Sequence, residues 1–223
     1  MAEVWALVPA KSPARSKSRL RSVLPADDCA QLSHAMLQDV LAALEGAASV
    51  DRIAVLTDAD EVAHFAAGAG HRVIRDAGDE LCAALDQAAA ELARQGATTI
   101  IVLPGDIPTI TSADIDGLLA GHQTGLSLCP AIRDGGTNAL VCTPPDAVPF
   151  CFGADSAARH LQAAAAHGLQ TSRRAMPAFF RDIDLPDDLV WLNAQAAGSH
   201  TQDYLRQSGL SARLGPAFLS AAG

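Results

Sequence analysis

Short apolar runs alternate along the chain with longer stretches in which apolar residues recur every three or four positions. The short runs predict β-strands, and the longer stretches predict helices with one apolar face. Such a βαβα alternation is typical of a mostly parallel sheet that is covered by helices on both faces. The pattern therefore predicts an α/β fold with three layers.

The pattern also gives approximate limits for each element. Predicted strands cover residues 4–8, 52–57, 71–75, 98–103, 125–132 and 137–143, and residues 177–183 are predicted to be extended. Predicted helices cover residues 26–45, 59–68, 80–95 and 156–167, and two further helices begin near Thr111 and Pro186. Ser156 stands where it would cap the helix over 156–167.

Two segments carry more specific predictions. Thr98 and Thr99 precede four aliphatic residues, a pattern that indicates a central strand buried on both faces. The strands over 125–132 and 137–143 are separated by Arg-Asp-Gly-Gly, which is typical of a hairpin.

No repeat, low-complexity tract or linker interrupts the chain, so residues 1–223 are predicted to form one domain. Residues 199–223 form a weakly patterned tail with scattered apolar side chains. This tail would cover either the core of its own chain or a neighbouring subunit in a homodimer, and both alternatives stay open.

Charge and cysteine content exclude several classes of protein. The chain has 16 Lys and Arg against 25 Asp and Glu, a net charge of −9, which argues against a surface that wraps nucleic acid. No apolar run approaches the ~20 residues that span a bilayer, and no leader pattern is visible, so we expect a cytoplasmic protein with no membrane partner. Five widely spaced cysteines without a CxxC pair indicate neither a disulfide framework nor a zinc site.

Five cations lie within eleven residues directly after the first predicted strand, namely Lys11, Arg15, Lys17, Arg19 and Arg21. A loop between a strand and a helix can offer cations and backbone N–H groups to a phosphate-rich ligand. The segment has neither GxxxxGK[ST] nor GxGxxG, so it is not a P-loop or a dinucleotide fingerprint. A solvated basic turn is the alternative.

Carboxylates occupy two later positions where a strand is predicted to end. Asp106 lies between two prolines in Leu-Pro-Gly-Asp-Ile-Pro, directly after the central strand. Asp182 and Asp184 alternate in an extended segment and so face the same side. Such paired carboxylates suit Mg²⁺, whose preferred ligands are oxygens, although a turn at Asp106 and a helix cap at Asp184 explain the same residues without a metal.

Two glycine-containing segments could let backbone N–H groups approach a small anion, one around Thr137 and the other around Gly153 and Ser156. A hairpin turn and a capped helix explain them equally well. Seven histidines show no metal-binding spacing, and His160 is interpreted as a structural or anion-facing helix residue. Without GxSxG, serine-hydrolase chemistry has no support.

Taken in order, KSRL in the basic loop, LPGDIP, RDGGTNAL, FGADSAARH and DIDLPDDL resemble the 2-phospholactate guanylyltransferase family over about residues 4–192. The resemblance implies a single Rossmann-like nucleotidyltransferase domain similar to molybdenum-cofactor guanylyltransferases. It also implies transfer of GMP from GTP to a phosphorylated three-carbon acid, with release of pyrophosphate, in the biosynthesis of coenzyme F-420. The acid would be 2-phospho-L-lactate, phosphoenolpyruvate or 3-phosphoglycerate.

The same resemblance implies roles for individual residues. Asp106, Asp182 and Asp184 would bind Mg²⁺, while Thr137, Gly153 and Ser156 would surround the substrate carboxylate. Lys11, Lys17 and Arg19 would contact the triphosphate, and Asp106, Lys17 and Arg19 form the predicted catalytic set.

One segment departs from the family pattern. Cys82 stands where the family usually has an asparagine near the nucleotide base, and Glu80 occupies a position that is usually small. A thiol replaces poorly an amide that both donates and accepts hydrogen bonds. Glu80 and Cys82 are therefore base-facing candidates, and a non-catalytic nucleotide-binding module, or a transferase with another base or acceptor, is the alternative function.

Overall fold

The computed structural model describes residues 3–13, 16–76, 80–195 and 198–214. Within them, seven strands form one sheet in the order β3-β2-β1-β4-β6-β5-β7. The strands are β1 (Val4–Pro9), β2 (Arg52–Thr57), β3 (Arg72–Arg75), β4 (Thr99–Val102), β5 (Gly125–Pro130), β6 (Thr137–Thr143) and β7 (Thr171–Arg173). β1 to β4 run parallel to one another, whereas β6 is antiparallel to both β4 and β5.

Helices follow most strands and cover the sheet. They are α1 (Ala26–Glu45), α2 (Asp60–Gly68), α3 (Leu81–Arg94), α4 (Ser112–Ala120), α5 (Ser156–Ala166), α6 (Pro186–Asn193), α7 (His200–Gln207) and α8 (Leu210–Arg213). The bounds of α1, α2, α3 and α5 and the starts of α4 and α6 agree with the sequence pattern, whereas α7 and α8 lie in the tail, where no helix was predicted. The predicted α/β fold with a mostly parallel mixed sheet is confirmed.

Two apolar layers lie on opposite faces of the sheet, because alternate residues of each strand point to opposite sides. Ile101 packs into the layer with α1, and its neighbours Ile100 and Val102 pack into the layer with α3. All three side chains are fully buried, so the predicted central strand is confirmed.

The strand order reverses between β1 and β4. The loops that follow the two strands on either side of such a reversal point in opposite directions. This leaves a crevice at the carboxyl ends of these strands. The loop after β1 and the loop after β4 therefore flank the crevice, and these loops carry the basic segment and Asp106.

Two local predictions are wrong, and one strand was not predicted. Pro177–Phe179 is a 3-10 helix rather than part of an extended segment, because Pro177 fixes a helical φ at its first position. Ser156 does not cap α5, since Asp155 occupies the N-cap position with φ 56° and makes no side-chain capping bond. Strand β7 was not predicted, because its three residues Thr171–Arg173 carry no apolar pattern.

The described part of the tail covers the core of its own chain. Leu205 of α7 and Leu210 of α8 are buried with Leu32 and Met36 of α1 in a third apolar cluster. Asp39 of α1 accepts hydrogen bonds from the backbone N–H groups of His200 and Thr201 at the start of α7. Among the helices that the structure describes, none is long and apolar enough to cross a membrane.

Candidate active site

A cleft of about 450 Å³ opens at the carboxyl ends of β1, β2 and β4. Three of the predicted triphosphate contacts, Lys11, Lys17 and Arg19, line this cleft together with Asp106 and Asp184. The structure thus brings the basic loop and the acidic segments to one place. Arg15 of the basic loop lies outside the described residues.

Three carboxylates meet at the edge of this cleft. Asp106, Asp182 and Asp184 each offer one oxygen, and these oxygens lie within 4.8 Å of one another. The backbone N–H of Ile183 donates to the backbone oxygen of Asp106 at 3.0 Å, so one hydrogen bond fixes the two acidic segments side by side. Residues 181–184 do not form a strand, but the carboxylates of Asp182 and Asp184 lie on the same side, as predicted.

Lys17 is inserted among these carboxylates. Its Nζ donates to Oδ2 of Asp106 at 2.6 Å and to Oδ1 of Asp184 at 2.8 Å, and its side chain is only 6% exposed. The backbone of Lys17 has φ 54° and ψ 39°, a left-handed conformation that is uncommon for a residue with a side chain. This turn starts the 3-10 helix Ser18–Ser22, which places Arg19 3.4 Å from Asp184.

The charges at this cluster hold one another in place. Burial works to lower the pKa of Lys17, but the charges of Asp106 and Asp184 raise it overall, so the ammonium stays protonated. Burial also works to raise the pKa of Asp184, and Lys17 with Arg19 lowers it overall. For Asp182, burial followed by repulsion from Asp106 and Asp184 raises the pKa. At Asp182, the Lys17 ammonium therefore does not fully offset the negative charges of Asp106 and Asp184.

A second group of predicted residues lies at the start of α5. The hydroxyl oxygens of Thr137 and Ser156 are 2.9 Å apart, and the backbone oxygen of Gly153 accepts from the backbone N–H of Ser156 at 3.1 Å. Gly153 has φ 121°, a conformation that side chains rarely allow. Thr137 and Ser156 are buried, so this group forms a compact buried polar cluster rather than an exposed patch.

His160 packs against this polar cluster and is hydrogen-bonded to it. Its Nε2 accepts a hydrogen bond from the backbone N–H of Cys151 at 2.9 Å, so the neutral ring carries its proton on Nδ1. Nδ1 lies 3.2 Å from Oγ1 of Thr137 and donates to it. Burial, with a smaller effect from Arg159, lowers the pKa of His160 to about 4, so the ring is neutral near pH 7.

A fully buried carboxylate, Asp188, joins the hairpin between β5 and β6 to the acidic segment. Its Oδ1 accepts from Arg133 at 2.5 Å and from Arg181 at 3.0 Å. Its Oδ2 accepts from the backbone N–H groups of Asp184 and Leu185 at 3.1 and 2.8 Å. The start of α6 is thus capped by Asp188, and a helix cap at Asp184 does not explain the acidic pair.

Glu80 and Cys82, which were predicted to face the nucleotide base, are not among the residues that line the cleft. Cys82 points its thiol to the backbone oxygen of Phe152 at 3.8 Å, and Glu80 is the exposed N-cap of α3. Among residues 80–82, Leu81 lines the cleft. Asp79, which precedes this segment, lies outside the described residues.

Sequence reasoning singled out neither Asp188 nor Arg133, although both lie in the segments DIDLPDDL and RDGGTNAL. Asp188 lies three positions after Leu185, the residue before the predicted helix. An acidic side chain at this position commonly caps a helix, and this was the available signal. No pattern along the chain indicated that this capping carboxylate also pairs with an arginine 55 residues away.

The chain is similar to known proteins over most of its length. Residues 4–217 match a family model described as "Guanylyl transferase CofC like". A phosphoenolpyruvate guanylyltransferase of Roseiflexus is 38% identical over 91% of this chain and 90% of its own. A 3-phospho-D-glycerate guanylyltransferase of Phenylobacterium zucineum is 39% identical over 85% and 89%. A 2-phospho-L-lactate guanylyltransferase of Methanothermobacter thermautotrophicus is 31% identical over 91% and 89%.

Solved structures share the fold. A Desulfovibrio desulfuricans protein assigned as a nucleotide-diphospho-sugar transferase superposes with a TM-score of 0.78 over 96% of this chain and 98% of its own. Its sequence is 22% identical, so this likeness concerns the architecture of the sheet and helices.

Proposed function

Because the chain belongs to the CofC-like guanylyltransferase family, we propose that it transfers GMP from GTP to a phosphorylated three-carbon acid, with release of pyrophosphate, in coenzyme F-420 biosynthesis. The acid is 2-phospho-L-lactate, phosphoenolpyruvate or 3-phospho-D-glycerate. The observation that carries this proposal is the meeting of the basic loop with Asp106, Asp182 and Asp184 at one cleft.

The three carboxylates fit a magnesium ion. Oδ1 of Asp106 is buried and has no hydrogen-bond partner within the described chain, which leaves an oxygen ready for a cation. Oxygen ligands from carboxylates are those that Mg²⁺ prefers. Bound by Asp106, Asp182 and Asp184, it supplies positive charge that offsets the charge of the triphosphate and of the departing pyrophosphate.

The nucleotide fits the cleft that the basic loop borders. Lys11, Lys17 and Arg19 lie along its rim and floor, so cations face the region where a triphosphate would lie. Leu56 and Leu81 provide apolar surface in the same cleft for the nucleoside. Lys17 reaches both the carboxylates and the cleft, and we assign it to the α-phosphate.

The acceptor acid fits between the carboxylates and the start of α5. Thr137, Gly153 and Ser156 offer hydroxyl and backbone N–H groups to its carboxylate. Because His160 donates to the oxygen of Thr137, the Thr137 hydroxyl donates to the oxygen of Ser156, which leaves the Ser156 hydroxyl hydrogen for an anion. The acid's phosphate then faces the carboxylate cluster.

The reaction needs positioning and charge neutralisation rather than a protein nucleophile. An oxygen of the acid's phosphate forms a bond to the α-phosphorus of GTP, while the bond from that phosphorus to the bridging oxygen of the β-phosphate breaks. Pyrophosphate leaves with the electron pair. The attacking phosphate oxygen is already anionic, so no general base is required, and Lys17 with Arg19 stabilises the charge that builds on the phosphates.

The test is pyrophosphate release by the purified protein in Mg²⁺, with GTP, ATP and CTP each offered with each of the three acids. We expect release with GTP and at least one acid. Release only with ATP or CTP would contradict the guanine assignment and point to the segment at Glu80 and Cys82. No release with any pair would favour the non-catalytic nucleotide-binding alternative.

The same assay tests Asp106. Asp106→Asn removes one carboxylate charge from the cluster, and we expect kcat to fall at least about 100-fold with the thermal unfolding midpoint near that of the wild type. Asp203→Asn, at an exposed position on α7, is the matched control and should keep wild-type turnover. Substantial turnover by Asp106→Asn would contradict the assigned role.

A further inference from the structure

We propose that Arg133 binds the phosphate of the acceptor acid, and that Asp188 is the positioning residue that aims its guanidinium. The inference rests on the proposed function, since it names the cation that receives one substrate of that reaction. It concerns a residue outside the predicted metal, nucleotide and carboxylate sets.

Arg133 lies between the two parts of the site. It belongs to the hairpin loop that leads into Thr137, and Asp188 ties its guanidinium to the backbone of Asp184 through a shared carboxylate. A cation at this place faces a substrate whose carboxylate is at Thr137 and whose phosphate is at the carboxylate cluster.

The loop that carries Arg133 is held on both sides. Oδ1 of Asp134 accepts from the backbone N–H of Gly136 at 2.9 Å, and the backbone oxygen of Gly135 accepts from Ala157 at 3.1 Å. Gly135 has φ 66°, and a Cβ there would lie 3.1 Å from a carboxylate oxygen of Asp155. These contacts hold the hairpin loop against the start of α5 and so fix the backbone position of Arg133.

The two arginines on Asp188 differ in how many contacts they make. Arg181 donates to Asp188 and also stacks on Trp191, with its Cζ 5.0 Å from the ring centroid. Within the described chain, Arg133 donates a single hydrogen bond, to Asp188, and its side chain is 40% exposed. Most of its five N–H donors are therefore available to a ligand.

Charge also favours an anion at this place. One carboxylate, Asp188, is shared by two guanidinium groups, so the pair of arginines has one positive charge in excess. A guanidinium donates two parallel hydrogen bonds to phosphate oxygens, a geometry that an ammonium group lacks. Since Asp188 fixes one Nη of Arg133, the remaining N–H groups have a defined direction before the acid binds.

The test measures binding without turnover. Each of the three acids is titrated calorimetrically into the full-length protein in Mg²⁺ and the α,β-methylene analogue of GTP, which cannot release pyrophosphate. The analogue is titrated separately. The proteins are wild type, Arg133→Gln, Arg133→Lys and the control Arg94→Gln, whose arginine lies at the exposed end of α3.

We expect Arg133→Gln to weaken binding of the preferred acid about 10- to 100-fold and to leave binding of the GTP analogue unchanged. Arg133→Lys should recover part of this loss because it restores the charge but not the paired hydrogen bonds. Arg94→Gln should bind both ligands as the wild type does.

Three other results would overturn the inference. Equal acid affinity of Arg133→Gln and wild type would show that Arg133 does not bind the acid, while leaving the proposed function intact if the wild type releases pyrophosphate. A loss of nucleotide affinity alone would move Arg133 to the triphosphate. If the wild type bound neither the analogue nor any acid, the proposed function itself would fail, and the role of Arg133 with it.

Discussion

Asp188 shows how one side chain can serve both stability and substrate binding. Its two oxygens accept from two arginines and two backbone N–H groups, so its buried charge is fully compensated. Removing one partner of such a buried set is costly because the remaining charges stay desolvated. The same bonds hold the backbone of Asp184 and the guanidinium of Arg133 on one shared carboxylate.

Asp188→Asn should lower the free energy of unfolding by about 2 to 4 kcal/mol, because two guanidinium groups lose their shared anion. It should also raise the KM for the acid more than the KM for GTP, since Arg133 loses its direction. Chemical denaturation and steady-state kinetics measure the two effects. In a double-mutant cycle with Arg133→Gln, the effects on acid KM should be much smaller than additive. Additive effects would show that Asp188 does not act through Arg133.

At the residue scale, the sequence identifies the residues whose chemistry stands out in a short segment. Asp106 follows a buried strand, and Lys17 belongs to a dense run of cations, so local sequence alone makes both of them candidates. The insertion of Lys17 between Asp106 and Asp184 was not predictable, because it depends on a left-handed backbone and on contacts across 89 and 167 residues.

At the scale of elements, α5 and the hairpin meet at His160. The ring accepts from Cys151 and donates to Thr137, so it joins α5 to the loop before it and to β6. These hydrogen bonds need a neutral ring, and burial enforces that state. Protonation of His160 would remove the acceptor at Nε2 and disrupt the hydrogen bonds around Thr137 and Ser156 at the predicted carboxylate site.

This coupling predicts a pH dependence of stability. His160 has a pKa of about 4 in the folded chain and about 6.5 when unfolded, so below pH 6.5 only the unfolded state takes up the proton. Its contribution to stability is complete above pH 6.5 and falls as the pH drops toward 4, by about 2 kcal/mol at pH 5.0. Urea unfolding at pH 7.5 and 5.0 should show a loss of stability about 2 kcal/mol larger in wild type than in His160→Gln. Burial also lowers the pKa values of His34 and His122, and these residues contribute equally to the loss in both proteins. Equal losses in both proteins would contradict it.

Elements with an apolar pattern of their own were predictable from the sequence, and elements without one were not. The bounds of α1 agree with its apolar period over 20 residues, and β6 agrees with its apolar run and hairpin spacing. Helix α7 has only Tyr204 and Leu205 as large apolar residues, and its place depends on Asp39, far away in α1. Elements of this kind form because of tertiary contacts, which local periodicity does not record.

At the scale of the whole molecule, a net charge of −9 accompanies a site for several phosphates. The acidic cluster and the basic loop have opposite charges and meet in one cleft, so the overall charge says little about the ligand. Burial, followed by repulsion from Asp106 and Asp184, raises the pKa of Asp182. A divalent cation bound at the cluster should relieve that repulsion and stabilise the folded chain.

If the proposed Mg²⁺ binds at the three carboxylates, its binding is coupled to folding, and the charge of Asp182 has opposite effects on stability without and with the metal. Asp182→Asn removes a repelled charge, so without metal its unfolding midpoint should be equal to or above that of the wild type. Addition of about 10 mM Mg²⁺ should raise the wild-type midpoint by roughly 3 to 6 °C if the dissociation constant is about 1 mM. Asp182→Asn should lose most of this rise, whereas Asp203→Asn should keep it. Differential scanning calorimetry over a series of Mg²⁺ concentrations measures both effects. An equal rise in all three proteins would show that Mg²⁺ acts on the general negative charge and not at the three carboxylates.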